Sequence, residues 1–435
     1  MRTKGISRLS LPIGSAALAT LAVLAACGGL DSPTAPRVIT PALTAPVALA
    51  GGSLTVSYCA SQAPIWAASQ DGAGAWKRVL PTSANTFVFT FATGKGGVAT
   101  VAKSGTGFRL DVVFATLADF GGQTRATNLG CSGTKVVKGS VAHVAAGQIA
   151  TIDLGTAAAL VFGGGPTAFT LNSVQVGPRD LIATRGSTTL AINSIIIRRS
   201  LNPTTGSTLP VLDFSSSAAF APASAHATVT GVPSGARAAL AVLFFSPRGT
   251  GAALFGANSF TGGSQPYVAI PTAKLLTGEL QLLSATTAPT ATTSRNTGVW
   301  IKTITNRALA FGPALSPGVV SSAASTPYYR PRIKVLSQTQ YNKGISVSFN
   351  QASVNRTASI FATAAYFGTA PATWDVSLPD LHAVTGFLTT WALKTSQLTK
   401  WNLQGFGGTL PFFSASPADG STFLSAFNSG SLTSH

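Results

Sequence analysis

Apolar and polar residues alternate along much of the chain beyond residue 50, and this alternation predicts β-strands. Successive side chains of a strand point to opposite faces of a sheet, so a period of two is typical of strands with one buried face. Such stretches occur early at residues 54–59, 86–91, 98–101 and 108–114. Glycine-rich turns at 94–97 and 105–107 separate the later ones. We therefore predict a small antiparallel β-sandwich over residues 51–135.

The same region contains a predicted hairpin that carries two tryptophans. An Asp-Gly turn sequence at residues 71–74 lies between the apolar stretches 65–67 and 75–79, and its glycines favour the positive φ angles of a tight turn. We expect this hairpin to place Trp66 and Trp76 near each other. Together they could form an aromatic platform for sugar rings, whereas the alternative is that both belong to the core.

Strand-like alternation continues to the C-terminus, with Gly and Pro turns at short intervals. It predicts further β-rich domains over residues 136–225, 226–326 and 327–435. The predicted fold class is all-β, with small antiparallel β-sandwich domains in tandem. In residues 387–404 apolar side chains recur at a helical spacing, but Lys394 and several threonines interrupt it, so a short helix stays open there.

The first 26 residues have the pattern of an export signal. Residues 1–8 carry three cations and no acid, and small and apolar residues follow up to position 26. This stretch is too short and too weakly apolar for a membrane span, which needs roughly 20 apolar residues. Residues 24–27, Leu-Ala-Ala-Cys, resemble the lipobox of bacterial lipoproteins. The alternative is an ordinary cleaved signal that happens to contain a cysteine.

The lipobox resemblance implies a location. In lipoproteins Cys27 would become the lipidated first residue of the mature chain, with palmitate among its acyl groups, so that the chain is anchored without crossing the membrane. Residues 27–50 contain four prolines among small residues and predict an extended tether. Gly28 stands where an Asp often signals retention at the inner membrane. The resemblance therefore implies the outer membrane, on a face that the sequence does not indicate.

A second resemblance covers part of residues 136–225. Gly139-Ser-Val is followed by the stretch 169–183, in which a strand containing Phe-x-Leu leads through a turn with Gly177 to an apolar strand. This pattern resembles the carboxypeptidase regulatory-like, transthyretin-like β-sandwich. The resemblance implies an accessory β-module without chemistry of its own.

Composition and net charge indicate which classes of partner the protein could bind. Hydrophobic residues make up 45% and charged residues 9% of the chain, which predicts folded cores and excludes a disordered polypeptide. The formal net charge is +18, and three of these charges lie in the predicted signal. A basic exported protein suggests anionic glycans or other envelope polymers as partners, whereas export disfavours nucleic acid. The cations form no long run, so a generally basic surface is the alternative to a dedicated groove.

The chain has three cysteines. If Cys27 carries lipid, Cys59 and Cys131 remain as a pair in an oxidising compartment, and we predict a disulfide between them. On the chain-entropy model a loop of this length would stabilise the first domain by about 4 kcal/mol. Two buried free thiols are the alternative.

Familiar catalytic motifs do not occur in the sequence. It contains no Gly-x-Ser-x-Gly, no His-Glu-x-x-His and no phosphate-binding loop. The four histidines are far apart, so we predict no metal site and no cofactor. A glycosidase needs two carboxylates at one cleft, and the nearest candidate pairs are Asp111 with Asp119 and Asp375 with Asp380. The second pair brackets Pro379 and is more typical of a capped turn.

One stretch concentrates positive charge. Alternate positions from 328 to 334 carry side chains that an extended strand would present on one face: Tyr328, Arg330, Arg332 and Lys334. This face could bind an extended acidic polysaccharide or an array of lipid headgroups. It requires four exposed side chains and no neutralising carboxylate. A solvated strand face is the alternative.

These observations favour a lipid-anchored envelope protein that binds or scaffolds and does not catalyse. The alternative is a secreted polysaccharide-active enzyme with a site that no linear motif reveals. Two carboxylates about 5 to 10 Å apart in an open cleft would favour the enzyme, and dispersed carboxylates would favour the binding protein. The sequence does not indicate the oligomeric state.

Overall fold

The computed structural model describes residues 51–58, 63–120, 124–126, 135–155, 157–187, 192–248, 251–255, 259–409 and 417–433. The predicted lipidation site Cys27, the tether and the predicted disulfide partners Cys59 and Cys131 lie outside these ranges, and they stay predictions. The described residues fold almost entirely into β-strands, which confirms the predicted all-β class. No helix among them is long and apolar enough to cross a membrane.

The strands are short and follow one another closely along the chain. In the first half they are β1 Gly52–Ser57, β2 Trp66–Asp71, β3 Lys77–Val79, β4 Pro81–Ser83, β5 Thr86–Phe91, β6 Lys95–Ser104, β7 Gly107–Thr116, β8 Thr124–Ala126, β9 Lys135–Ala142, β10 Gln148–Leu154, β11 Ala157–Phe162, β12 Ala168–Val174, β13 Arg179–Ser187, β14 Ile192–Leu201, β15 Leu212–Asp213 and β16 Ala219–Phe220.

The second half continues in the same way. Its strands are β17 Ala223–Thr230, β18 Ala238–Phe245, β19 Gly251–Phe255, β20 Gly263–Ala269, β21 Leu280–Thr290, β22 Thr293–Ile301, β23 Arg307–Ala310, β24 Val319–Ala324, β25 Arg330–Leu336, β26 Gly344–Gln351, β27 Arg356–Thr363, β28 Thr373–Ser377, β29 Leu398–Gly408 and β30 Thr422–Thr433. A single helical turn, α1 Ala364–Phe367, follows β27, and 3₁₀ turns occupy Thr272–Lys274, Thr339–Tyr341, Ala352–Val354 and Thr389–Trp391.

One sheet runs through most of the described chain. Its twelve strands lie in the order β19-β18-β21-β22-β30-β29-β26-β27-β7-β6-β2-β3. Neighbouring strands are antiparallel except β7 and β27, which pair in parallel. We call it the central sheet. It joins strands from the predicted segments 51–135, 226–326 and 327–435, whose boundaries as domains stay predictions.

Smaller sheets cover both faces of the central sheet. On one face the sheet β24-β25-β28 packs over β2, β6, β7, β26 and β27 around Trp66, Leu110, Ile333, Phe349 and Trp374. On the other face the sheet β4-β5-β1-β8 covers β2 and β6, where Phe89 and Phe91 meet Ala67 and Val98. Alternate residues of β2 and β6 therefore enter different cores, as the period of two requires.

The segment 136–225 forms two packed sheets of its own. The sheet β11-β10-β13-β14-β16 packs on β12-β9-β15 around Ile152, Leu171 and Leu181. The opposite side of β13 and β14, with Ile182 and Ile195, packs on the apolar cluster of β17 to β22. This layered packing is that of a β-sandwich, and the transthyretin-like resemblance stays a prediction.

Residues 387–404 do not form the short helix that their spacing allowed. Thr389–Trp391 makes one 3₁₀ turn, and β29 begins at Leu398. Within β29 Leu403 is fully buried while Lys400 and Asn402 are exposed. The period-two alternation at the end of this stretch therefore determines its structure.

A buried group of charges lies where β13, β14, β18 and β21 end or begin. Asp180 is fully buried and accepts hydrogen bonds from the Ser246 hydroxyl and from the Ser200 backbone N–H at 2.8 Å. Arg248 lies 3.4 Å from its carboxylate. Nearby, Arg199 lies 2.8 Å from the buried Glu279. We call these residues the charge cluster, and it fixes the sandwich of residues 136–225 to the central sheet.

Replacing Asp180 with Ala is expected to destabilise the protein strongly. The change leaves Arg248 and the Ser200 N–H without their buried partner, and breaking a buried ion pair typically costs about 3 to 5 kcal/mol. The measurement is the free energy of unfolding in urea. The control is Asp375→Ala, which removes a partly exposed pair with Arg332 and should cost at most about 1 kcal/mol. Equal losses in the two variants would contradict the assigned role of the charge cluster.

A half-buried carboxyl makes stability depend on pH. Asp153 in β10 lies opposite Ile182 of β13, and burial raises its pKa from 3.8 to about 7. Because the folded state holds this proton more tightly than the unfolded chain, the contribution of Asp153 to stability falls as the pH rises from about 4 to 7. Above that range the carboxylate destabilises the fold.

Asp153→Asn is therefore expected to stabilise the protein at pH 8, by at most about 4 kcal/mol, since one pKa unit corresponds to about 1.4 kcal/mol. Thermal unfolding at pH 8 and at pH 3.5 measures the effect, which should disappear at the lower pH. Asp213→Asn is the control and should destabilise the protein at pH 8, because hydrogen bonds from Ser215 lower the pKa of Asp213. A wild-type melting temperature in Asp153→Asn at pH 8 would refute the prediction.

Candidate functional site

The structure does not form the predicted cationic strand face. Tyr328 is buried, with 4% of its surface exposed, and its hydroxyl donates a hydrogen bond to the Pro379 carbonyl at 2.7 Å. Arg330, Arg332 and Lys334 do share the outer side of β25. The prediction that Tyr328 joins them is wrong, because the segment before β25 enters the core beside Phe387.

Two carboxylates pair with the three cations of β25. Arg332 makes a paired contact with Asp375, its Nε lying 2.6 Å from Oδ1, and Lys334 lies 3.6 Å from the same carboxylate. Hydrogen bonding from the Arg332 guanidinium lowers the pKa of Asp375, so this pair stays charged. Arg330 lies 3.1 Å from Asp380. The condition that no carboxylate neutralises this face is therefore not met.

Trp66 and Trp76 do not form a shared platform. Trp66 is buried in the core, where its indole N–H donates to the Thr385 carbonyl at 3.2 Å and its ring meets Phe387 edge-on. Trp76 lies near the other end of the β2–β3 hairpin, against Phe114. The register of β2 and β3 separates the two rings along the hairpin, since Ala67 lies opposite Val79.

Most acidic side chains in the described ranges form hydrogen bonds or ion pairs within the fold. Apart from Asp153, each has a hydrogen-bond or ion-pair partner: Asp71 with Thr93, Asp111 with Arg109, Asp119 with Thr116, Asp180 with Arg248, Asp213 with His143, Glu279 with Arg199, Asp375 with Arg332, Asp380 with Arg330 and Asp419 with Arg307. Asp180 and Glu279 share the charge cluster but are buried. No group of three metal-ligating side chains occurs among the residues described.

The pairing of distant strands assembles a group of cations at one end of the central sheet. The β6–β7 turn, the β26–β27 turn and the start of β29 meet there, because Lys103 lies opposite Phe108, Phe108 opposite Arg356, and Asn350 opposite Lys400. The group consists of Lys103 and Arg356 on the face of Phe108, Arg109 and Lys400 on the opposite face, and Lys394 in the loop before β29. We call it the basic end. At about 4.8 Å between strands it extends roughly 19 Å from β6 to β29.

One carboxylate lies on these strand ends. Asp111 contacts the Arg109 Nε at 2.6 Å and accepts a hydrogen bond from the Ser359 hydroxyl at 2.7 Å. Arg356 lies over the Phe108 ring at 4.8 Å and donates to the Thr390 carbonyl, which leaves its charge unneutralised. Lys103 and Lys400 are exposed. The basic end therefore carries more net positive charge than the outer side of β25, where two carboxylates pair with three cations.

Two rows of polar side chains begin at the basic end and cross five strands of the central sheet. Directly paired residues project from the same face of a sheet, and β7, β27, β26, β29 and β30 supply one residue each to both rows. The first row is Arg109, Thr357, Asn350, Lys400 and Ser431, and the second is Asp111, Ser359, Ser348, Asn402 and Ser429. We call them the polar rows.

The polar rows point away from the core. Their chain neighbours Leu110, Ala358, Phe349 and Leu403 are buried on the opposite face of the sheet. Asn350, Asn402 and Ser431 are exposed, and the other serines and Thr357 are partly exposed. Among the described elements none packs on these rows. The surface can therefore offer amide and hydroxyl groups to a ligand.

The sequence contained a partial signal for this surface. Polar residues at every second position of 346–350, 357–359 and 400–404 predict outward faces on three strands. Nothing in the sequence indicates that these faces lie side by side or that Arg109 joins them. Those contacts depend on the β7–β27 pairing, which links residues 248 positions apart.

No family model and no curated protein matches this chain. A crystal structure of a tetra-tandem repeat in the extending region of a large adhesion protein is 12% identical, covers 89% of this chain and 100% of its own, and has a TM-score of 0.16. The native conformation of the E. coli alpha-2-macroglobulin is 8% identical, covers 88% of this chain and 29% of its own, and has a TM-score of 0.13. Similarity at this level carries no argument about function.

Proposed function

We propose that this chain is a non-catalytic cell-envelope lipoprotein that holds an anionic polymer at the basic end of its central sheet. Cys27 carries the lipid, the outer membrane is the site of anchoring, and residues 28–50 connect the anchor to the folded part. The partner class is an anionic glycan or another envelope polymer. The protein needs no cofactor for this role.

The observation that carries the proposal is that acidic side chains are taken up in pairs within the fold, whereas cations are grouped at one end of the central sheet. The acidic side chains stabilise turns, strand pairs and the charge cluster, whereas five cations meet at one sheet end with Asp111 as their neighbouring carboxylate. A clustered surplus of one sign attracts an oppositely charged polymer and raises its local concentration. The dispersal of the carboxylates supports a binding protein over the polysaccharide-active enzyme that the sequence left open.

Neutralising two exposed cations of the basic end should weaken the binding of an anionic glycan. Exposed ion pairs contribute up to about 1 kcal/mol each, so Lys103→Ser with Lys400→Ser is expected to lower affinity roughly three- to thirtyfold at low salt. The difference should shrink at high salt, where the charges are screened. Calorimetric titration with a polyuronate of defined length measures the affinity.

The matched control is Lys77→Ser with Lys138→Ser, which removes the same net charge from exposed sites elsewhere. Its affinity should stay within about twofold of the wild type, because neither lysine lies on the strand ends that form the basic end. Equal losses in both double variants would mean that net charge, and not the basic end, determines binding.

The anchor has its own test. Cys27→Ser removes the lipid acceptor, so the exported protein should move from the detergent phase to the aqueous phase and keep an uncleaved signal. The control is Cys59→Ser, which also removes one thiol and should leave partition unchanged. Unaltered partition of the Cys27→Ser protein would refute lipid anchoring.

A further inference from the structure

The strand β11 leaves one edge of the sandwich at residues 136–225 open to a partner. It spans Ala157–Phe162 and is the last strand of its five-stranded sheet, where β10 is its one neighbour among the described strands. We propose that two copies of this chain associate through this edge, with the two β11 strands paired antiparallel in one continuous sheet. The association does not depend on the lipid anchor or on the basic end.

The free edge of β11 follows from the hydrogen bonds on its other side. The Gly163 N–H donates to the Gln148 carbonyl of β10 at 2.8 Å, so the odd-numbered residues of β11 direct their backbone groups toward β10. These directions alternate along a strand. The residues that direct their N–H and C=O groups away from β10 are therefore Ala158, Leu160 and Phe162. No described strand pairs with these groups.

The same three residues expose apolar side chains. Leu160 is 60% exposed, Phe162 is 59% exposed, and Ala158 is exposed as well. Their side chains lie on the outer side of the sheet, because the neighbouring Val161 is buried in the core of the sandwich. An edge that combines unpaired backbone groups with large apolar side chains is a template for pairing with another strand.

Most other edge strands of the described sheets carry a feature that hinders such pairing. Charged side chains, prolines and bulges are the usual protection of an edge. They occur as Lys77 in β3, Arg307 in β23, Asp375 in β28, Pro81 in β4 and Pro266 in β20, and as register shifts in β12 and β24. The register of β11 with β10 is unbroken, and its six residues include no charge and no proline.

One register of self-pairing joins all three outward residues. If the two-fold axis passes beside Leu160, this residue lies opposite Leu160 of the second copy, and Phe162 lies opposite Ala158. Three opposed pairs that each exchange two hydrogen bonds would form about six of them. The large Phe162 ring then lies beside the small Ala158 side chain. A shift by two residues in either direction leaves one outward residue without a partner in the other β11.

Two copies of this basic protein can approach at β11 because the edge carries no cation. The formal net charge of the chain is +18, but residues 154–178 contain no charged side chain. This stretch includes β11, the turn after it and β12, which is an edge strand of the second sheet. Asp153 of β10 lies opposite Ala158, and burial raises its pKa to about 7, so its carboxyl is mostly uncharged at pH 6.5.

Cysteine trapping in intact cells tests the pairing. Pairing through one strand edge buries less than about 1,200 Å², which is typical of transient contacts, so a covalent trap is needed. In the full-length Leu160→Cys protein the two opposed Cα atoms should lie about 5.5 Å apart, within the disulfide range of about 4.4 to 6.8 Å. Copper-catalysed oxidation at pH 6.5 followed by a non-reducing gel measures the covalent homodimer.

The matched control is Leu80→Cys, which places a thiol at another exposed leucine outside β11. It reports random collisions and exchange with the native cysteines. We expect Leu160→Cys to give about tenfold more homodimer than Leu80→Cys, because pairing raises the effective concentration of the two thiols.

A charge on the edge should prevent the pairing. Phe162→Lys added to the Leu160→Cys protein is expected to lower the homodimer yield about tenfold, because it removes an apolar ring from the contact and places a cation on each edge. Leu80→Lys adds the same charge at the control site and should leave the yield within about twofold, as is usual for surface substitutions. Urea unfolding of the purified variants checks that each is folded.

Several results would overturn self-association through β11. These are equal trapping at Leu160 and Leu80, an unchanged yield with Phe162→Lys, and trapping of Leu160→Cys to a different protein. A higher homodimer yield from Ala158→Cys or Phe162→Cys than from Leu160→Cys would overturn the register on which the pairing is argued. None of these results bears on the proposed function, whose tests change the basic end and Cys27.

Discussion

The parallel pairing of β7 with β27 is the contact on which the rest of this structure depends. It joins strands from opposite ends of the described chain, and closing such a long loop costs entropy that rises slowly with loop length. The apolar cluster beneath the pair offsets this cost, because Leu110 and Val112 of β7 pack with Ile360 of β27. Without this pairing the central sheet would divide into two sheets, and Lys103 and Arg109 would not lie beside Arg356 and Lys400.

The charge cluster is a second constraint, and it acts at a different place. Apolar packing between Ile182 or Ile195 and the cluster of β17 to β22 brings the sheets together without fixing their relative orientation. Asp180 and Glu279 are directional, because each carboxylate must meet a particular backbone N–H and arginine. Buried ion pairs contribute little net stability when formed but cost much when one partner is lost. The cluster therefore favours one arrangement of the sandwich over others with similar apolar contact.

Much of the fold was predictable because it depends on local pattern. The period-two alternation of 54–59, 86–91 and 108–114 predicted strands, and β1, β5 and β7 lie there. Strand partners were not predictable, since an alternating pattern identifies the buried face of a strand but not its neighbour. The same limit explains why the prediction for Tyr328 is wrong. Tyr328 has the period-two spacing to Arg330, but it precedes the strand, and its segment turns into the core. The basic end required knowledge of strand order, because its cations come from three separate stretches of the chain.

One face of the central sheet packs into the core and the other carries exposed polar side chains, so a stable fold and a binding surface can coexist. Beneath β7, β27, β26 and β29 the inward residues are fixed by close packing, so few substitutions are tolerated there. Among these strands' outward residues, those of the polar rows are contacted by no described element, and changes among Ser, Asn and Thr there would cost little stability. With eleven acids against twenty-nine bases, the chain uses nearly all its described carboxylates to hold turns and strands. Positive charge therefore remains wherever the strand order brings together more cations than acids, and the end of the sheet beside β7 and β27, where Asp111 is the neighbouring acid, is such a place.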